Sequence, residues 1–190
     1  SKLTLVHCLS GGRAGSAVGM LTNAGFEQAV NIGGVAQWQG MVASGAPEAG
    51  MAVFDPARAP EDYVALAWAM EEGAVRFYEA LAEHFAGEGM RETFAEMAKG
   101  EVHHAKILAK RWREMTGKDG EPTVPEGDLG DLMEGGVSIG EALEWARDAS
   151  LSDVLEYLVA MEANATDRYQ RVARGLDDVS RDAFHTLARA

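Results

Sequence analysis

Apolar residues recur at two different spacings along this chain, and the change comes near Gly50. Before it, glycines break short apolar runs. Leu3-Thr4-Leu5-Val6 predicts a strand ending at Cys8, Ser10-Gly11-Gly12 a sharp turn, and Ala17 to Ala24 a helix closed by Gly25. Val30-Asn31-Ile32 predicts a second strand, stopped by Gly33-Gly34. Strands joined through a helix pair in parallel and need cover on both sheet faces, which about fifty residues cannot supply alone. The expectation is therefore more sheet ahead of Ser1, or completion by another subunit. The chain also opens on Ser1 instead of Met, as a fragment or a processed form does.

Past Pro60 the spacing is helical. Pro60-Glu61-Asp62 is a helix start, and the run to about Phe85 sets Tyr63, Leu66, Ala67, Met70, Ala74, Phe77 and Leu81 on one side. A second helix is expected from about Met90 to Met115, stopped by Gly117. Residues 118–137 are rich in Gly and Pro and too long for a tight helical hairpin, which suits a crossover. Ser138-x-x-Glu141 reads as a capping box for a short helix, Ser152-Asp153 opens another to Arg174 with Gly175 as its stop, and a further helix begins near Asp178. The organisation expected is an α/β segment at 1–50, a linker at 51–60 marked by Pro56 and Pro60, and a helical bundle at 61–190 whose last helix is incomplete at Ala190.

Charge sharpens this division. The 190 residues carry a net charge of -13, yet the first 50 hold only Lys2, Arg13, Glu27 and Glu48, so the helical part carries all of it. A phosphate backbone would be repelled, and no nucleic-acid partner is expected. The single cysteine excludes an internal disulfide and the paired C-x-x-C knuckles of a rubredoxin or zinc ribbon. No apolar run reaches the roughly 18 residues that span a bilayer and no signal-peptide pattern opens the chain, so a cytoplasmic location without membrane contact is expected.

The helical part repeats itself. A shift of 91 positions superposes Asp62, Ala69, Met70, Glu71, Ala74, Tyr78 and Ala82 on Asp153, Ala160, Met161, Glu162, Ala165, Tyr169 and Ala173. Glu71 and Glu162 thus occupy equivalent places within apolar stripes, where a carboxylate needs a cation to offset its burial. Between them, Glu101-Val102-His103-His104 contains a Glu-x-x-His spacing that puts a carboxylate and an imidazole on one helix face. Alone, that spacing is common on solvated helices; beside the duplicated glutamates it matches the di-iron or di-manganese carboxylate site of four-helix ferritin-like bundles. Hard oxygen donors with one nitrogen suit iron or manganese. Glu72 and His103 are turned off the faces of Glu71 and Glu101 and are expected at the surface. The second helices match at a shift of 90, which sets Phe94, Met97 and Ala98 on Phe184, Leu187 and Ala188 and puts a second Glu-x-x-His pair at positions 191 and 194; Asp182-x-x-His185 falls nine residues too early for it.

The residues Met70-Glu71-Glu72-Gly73-Ala74-x-x-Phe77-Tyr78, Phe94-x-x-Met97-Ala98-x-x-Glu101-x-x-His104-Ala105 and Met161-Glu162-x-x-Ala165-x-x-x-Tyr169 resemble the rubrerythrin-like group of ferritin-like proteins. The resemblance spans about 60–190. It implies a ferritin-like four-helix bundle with a crossover connection, metal ligands at Glu71, Glu101, His104 and Glu162, and Tyr78 and Tyr169 hydrogen-bonded to ligating carboxylates. Core tyrosines with satisfied hydroxyls are the alternative for that pair. It further implies a di-iron centre, or manganese, that reduces hydrogen peroxide or oxidises ferrous iron with dioxygen, drawing electrons from an external donor such as rubredoxin. A homodimer is the expected assembly.

Cys8 ends a strand before a glycine turn and a helix, where backbone N–H groups and the positive helix end favour a thiolate. Arg13 is placed to hold an oxyanion. The stretch Val6-His7-Cys8-x-x-Gly11-x-Arg13, with Leu21, Gly25-Phe26, Val30-Asn31, Gly33-Gly34 and Trp38, resembles the carboxy-terminal part of a rhodanese domain, with Ala14 where that family commonly has Ser. This implies a partial α/β rhodanese-like segment in which Cys8 takes sulfane sulfur from a donor such as thiosulfate, as a persulfide, and hands it to an acceptor thiol or cyanide. A small apolar residue closing a strand is the plainer reading of Cys8. Sulfur transfer with the helices as scaffold, and iron binding without turnover, stand as the alternative functions.

Overall fold

The computed structural model describes residues 2–37, 49–125, 129–176 and 178–188. The chain divides into two compact units, Ser1–Gly40 and Met41–Ala190. Among the described residues no helix is long and apolar enough to cross a membrane.

The first unit is a βαβ element: β1 (Thr4–Cys8), α1 (Gly12–Asn23) and β2 (Ala29–Gly34), followed by a 3-10 turn at Val35–Gln37. The strands pair in parallel, Leu5 opposite Val30 and Cys8 opposite Gly34, with an irregularity between Val6 and Cys8. The helix starts five residues earlier than Ala17, because Gly11 takes a left-handed conformation (φ 92°) and turns the chain straight from β1 into α1. Leu5, Val30 and Ile32 of the two strands are exposed, as two strands and one helix allow. Trp38 lies outside the described residues.

The second unit is mostly helical. Its long helices are α2 (Pro60–His84), α3 (Arg91–Thr116) and α5 (Leu151–Gly175), with shorter α4 (Ile139–Asp148) and α6 (Asp178–Leu187). Pro60 at the first turn and Asp62, whose Oδ2 accepts from the backbone N–H of Arg58 (2.8 Å) and Ala59 (3.0 Å), start α2; Gly117 (φ 66°) ends α3. Helix α2 packs along α3, and α5 along α6, which also meets α3. The segment expected as a linker at 51–60 instead belongs to this core, because Phe54 is buried and stacks on Tyr63 at 5.8 Å. The start of α5 also differs from expectation: Ser150, not Ser152, is the cap, its Oγ accepting from Asp153 N–H at 3.2 Å while Asp153 accepts in return.

The crossover between α3 and α4 holds a small antiparallel hairpin, β3 (Leu132–Met133) and β4 (Val137–Ser138), with a 3-10 turn at Glu134–Gly136. Two apolar clusters fill the bundle. One gathers Phe77, Leu81, Phe94, Met133 and Leu158; the other gathers Leu66, Leu108, Trp112, Val172 and Phe184. Met70 belongs to one cluster and Ala74 to the other, so Glu71 sits at their junction.

Candidate metal centre

Glu71 is 0% exposed, so a carboxyl group lies at the centre of an apolar bundle. Around it the fold collects four more ionisable groups. Glu101 and His104 come from successive turns of α3, Glu162 from α5, and Glu134 from the hairpin turn. Their ligand atoms form two groups, Glu71–Glu101–His104 and Glu101–Glu134–Glu162, within each of which all lie inside 4.8 Å of one another. Glu101 is common to both. Each group could hold one ion, and Glu101 is available to both.

The hydrogen bonds aim these groups inward. His104 turns Nδ1 toward the centre, 3.0 Å from Glu101 Oε2 and 3.4 Å from Glu71 Oε2. Tyr78 donates its hydroxyl to Glu162 Oε1 at 2.6 Å, and Tyr169 donates to Glu71 Oε1. Each tyrosine therefore bonds the glutamate of the other repeat, two turns away on a helix that runs antiparallel to its own. That crossed pairing leaves the second oxygen of Glu71 facing only His104: Oε2 is buried and makes no hydrogen bond among the described residues, and neither does the buried Oε2 of Glu134.

Electrostatics register the crowding. Burial pushes the Glu71 carboxyl up to about 8, and it pushes Glu134 and Glu162 upward too, with the neighbouring carboxylates adding to the effect on Glu134. The carboxylates of Glu101 and Glu71 raise His104 to about 10. Burial likewise raises both tyrosine hydroxyls, so they remain donors. Four carboxylates with one imidazole are a poor way to fill a core and a good match for two divalent cations, whose four positive charges balance them. The donor set and the two orphaned oxygens fit a pair of ions.

Glu71, Glu101, His104 and Glu162 are thus gathered in one place. His103 is exposed and Glu72 half-buried; neither Asp182 nor His185 belongs to either group. Glu134 is the residue that sequence reasoning passed over. It stands outside the 91-residue repeat, and its Glu-Gly-Gly context reads simply as a turn. The available signal was one acidic residue between Met133 and two glycines, in a connection otherwise headed for a helix cap.

In the βαβ unit Cys8 lies partly exposed at the end of β1, ahead of the turn into α1. Gly11 N–H donates to Cys8 Sγ at 3.0 Å, and backbone N–H groups of Ala14, Ser10, Gly11 and Arg13 bring the thiol down from 9.0 to about 7, the Ala14 contribution being largest. Gly34 makes room for this loop: a Cβ there would stand 2.5 Å from Ser10 C and 2.6 Å from Leu9 O. The Arg13 side chain is exposed.

The mostly helical unit fits a ferritin-like fold, and its interior gathers carboxylates and an imidazole that could hold metal ions. Residues 62–129, which include nearly all of α2, the whole of α3 and the side chains of Glu71, Glu101 and His104, match the family model described as Rubrerythrin. That family binds a di-iron centre, and the clustered glutamates and histidine supply the groups to hold one. No curated protein and no solved structure matches the chain.

Proposed function

We propose that the helical unit is a di-iron oxidoreductase of rubrerythrin type that reduces hydrogen peroxide, or oxidises ferrous iron with dioxygen, with Glu71, Glu101, His104 and Glu162 as its metal ligands. The observation that carries this reading is the pair of donor groups that share Glu101 in the bundle interior, with the fully buried Glu71 turning Oε2 toward His104 Nδ1 at 3.4 Å. Bound iron supplies the redox equivalents and the Lewis acidity; manganese suits the same donors. The chain's own groups do the rest. Tyr169 and Tyr78 each hold one oxygen of Glu71 and Glu162 and so orient both carboxylates for an ion. Carboxyl protons and the His104 Nδ1 proton leave as ions bind. The apolar clusters on either side keep water from the centre.

The rubrerythrin family generally uses rubredoxin-type donors with peroxide, and an external donor of that type is the proposed partner. A homodimer and a cytoplasmic location belong to the same proposal. The test is to load metal-free protein with ferrous iron anaerobically and add peroxide with a reductant. Consumption over several equivalents supports turnover, whereas a single stoichiometric burst supports iron binding alone.

A second activity is proposed for the βαβ unit, read as a rhodanese-like segment over residues 1–50. The backbone cradle around Cys8 Sγ favours it, and the exposed Arg13 is the proposed group for an oxyanionic donor. Thiocyanate formation from thiosulfate and cyanide is expected to vanish in Cys8→Ser. Activity that survives the substitution excludes Cys8 as the sulfur carrier.

A further inference from the structure

We propose that the β3–β4 hairpin is a ligand-delivering arm: Glu134 at its tip binds the second ion directly, beside Glu101 and Glu162, and Gly73 of α2 is the positioning residue that lets the arm seat. This rests on the metal-centre reading above and extends it to a residue that neither the internal repeat nor the matched stretch 62–129 contains.

Glu134 is 5% exposed, its Oε2 is buried without a partner among the described residues, and its ligand atom lies within 4.8 Å of those of Glu101 and Glu162. The other donors ride on helices, where packing of a long amphipathic face fixes them. Glu134 rides on a hairpin of two paired residues per strand, too small to hold itself together. Other devices hold it. Ile139 N–H donates to Asp131 O at 2.7 Å, Ser138 Oγ–H to Asp131 Oδ2 at 2.6 Å, and Gly140 N–H to Asp131 Oδ1 at 3.0 Å, tying the hairpin base to the start of α4. Gly135 and Gly136 take left-handed conformations (φ 81° and 64°) at the tip. A Cβ on Gly135 would meet Arg168 Nη1 at 2.9 Å.

The closest approach is at Gly73. A Cβ there would stand 2.1 Å from Leu132 O and 2.9 Å from Met133 Cα, both backbone atoms that cannot swing aside. The hairpin therefore lies directly on the α2 backbone, two residues past Glu71. An apolar residue at the tip would fill this space at lower cost than a carboxylate with an orphaned oxygen. The arrangement makes sense when an ion meets that oxygen.

Titration of metal-free protein with Mn(II), read by equilibrium dialysis and electron paramagnetic resonance, tests this. Wild type is expected to bind two ions per chain with an exchange-coupled spectrum, one ion for each donor group. Glu134→Gln preserves shape and is expected to hold the first ion within about twofold while weakening the second at least about tenfold, leaving an isolated-ion spectrum. Gly73→Ala is expected to reproduce that selective loss with helical circular dichroism retained; should it fail to fold, Glu134→Gln carries the test. Two ions bound by Glu134→Gln as in wild type overturns the proposal and leaves the metal centre standing. Equal loss of both ions overturns the assignment to the second position. Wild type that binds no Mn(II) or iron overturns the metal-centre reading itself, and this proposal with it.

Discussion

The helical unit and the βαβ unit each hold an ionisable group ready for chemistry, by opposite physical means. In the bundle, charge is forced into a dry interior: burial drives the carboxyl groups of Glu71, Glu134 and Glu162 toward their neutral forms, and only cations can reverse that. In the βαβ unit the charge stays near water and the backbone stabilises it, four N–H groups lowering Cys8 to about 7. The first arrangement needs long packed helices and a closed core. The second needs one glycine turn, a helix start and a glycine on the neighbouring strand. A small unit whose strand residues Leu5 and Val30 are exposed can therefore still shape a thiolate, whereas it has nowhere to hide a carboxylate pair.

The largest expected effect comes from the shared carboxylate. Glu101→Ala removes a donor from both groups and is expected to reduce metal content, measured by mass spectrometry of the desalted protein, from about two ions per chain to almost none; Glu71→Ala is expected to remove about one. Retention of both ions in Glu101→Ala would break the contrast between the two units at its root.

Packing gives the next largest difference. Leu81 is fully buried, and Leu81→Ala is expected to cost about 2–5 kcal/mol, lowering the melting temperature of the helical unit by roughly 5–15 °C. Leu5 is 56% exposed, and Leu5→Ala is expected to shift melting by less than about 2 °C. Equal shifts in a calorimetric scan would show that Leu5 is covered in solution.

The pH dependence of the ion-free bundle has a definite sign. Glu71 rises from 4.5 to about 8 on folding, so its contribution is complete below 4.5 and is lost as pH climbs through about 8. His104, raised from 6.5 to about 10, contributes in the same sense: complete below 6.5, lost as pH climbs through about 10. Ion-free protein is expected to melt several degrees lower at about pH 9 than at about pH 5, and iron loading to remove that slope because ions replace the protons. A melting temperature that rises with pH without metal would contradict the burial argument.

The Cys8 effect is subtler, because it moves a reactivity profile and leaves stability alone. Iodoacetamide labelling is expected to show a midpoint near pH 7, with about half of Cys8 ionised there against about one part in a hundred for a thiol at 9.0. Gly34→Ala, which crowds the loop, is expected to move the midpoint upward. A wild-type midpoint near 9 would remove the backbone cradle from the account.

Much of the architecture was legible because it is written locally. The apolar faces of α2 and α5, the Pro60 start and the Gly117 stop each depend on neighbours within a few residues, and the 91-residue repeat pointed to Glu71 and Glu162 together. What escaped depends on contacts across the fold. Periodicity puts Tyr78 and Tyr169 on the faces of their own glutamates but cannot tell which helix lies opposite, so the crossed bonds to Glu162 and Glu71 emerge only from the packing. Glu134 reaches the centre because Gly73 admits Leu132 onto the α2 backbone, an approach between residues 59 positions apart. Phe54 escaped for a similar reason: two prolines mark a break in helix, and nothing local says that the segment between them folds back onto Tyr63.

Anomalous diffraction at the iron edge, from crystals of anaerobically iron-loaded protein, tests the central claim most directly. Two peaks are expected between α2, α3, α5 and the hairpin, both within bonding distance of Glu101, one beside His104 and the other beside Glu162. Iron found only on the acidic surface, or a bundle interior empty of anomalous signal with Glu71 still buried, would contradict it.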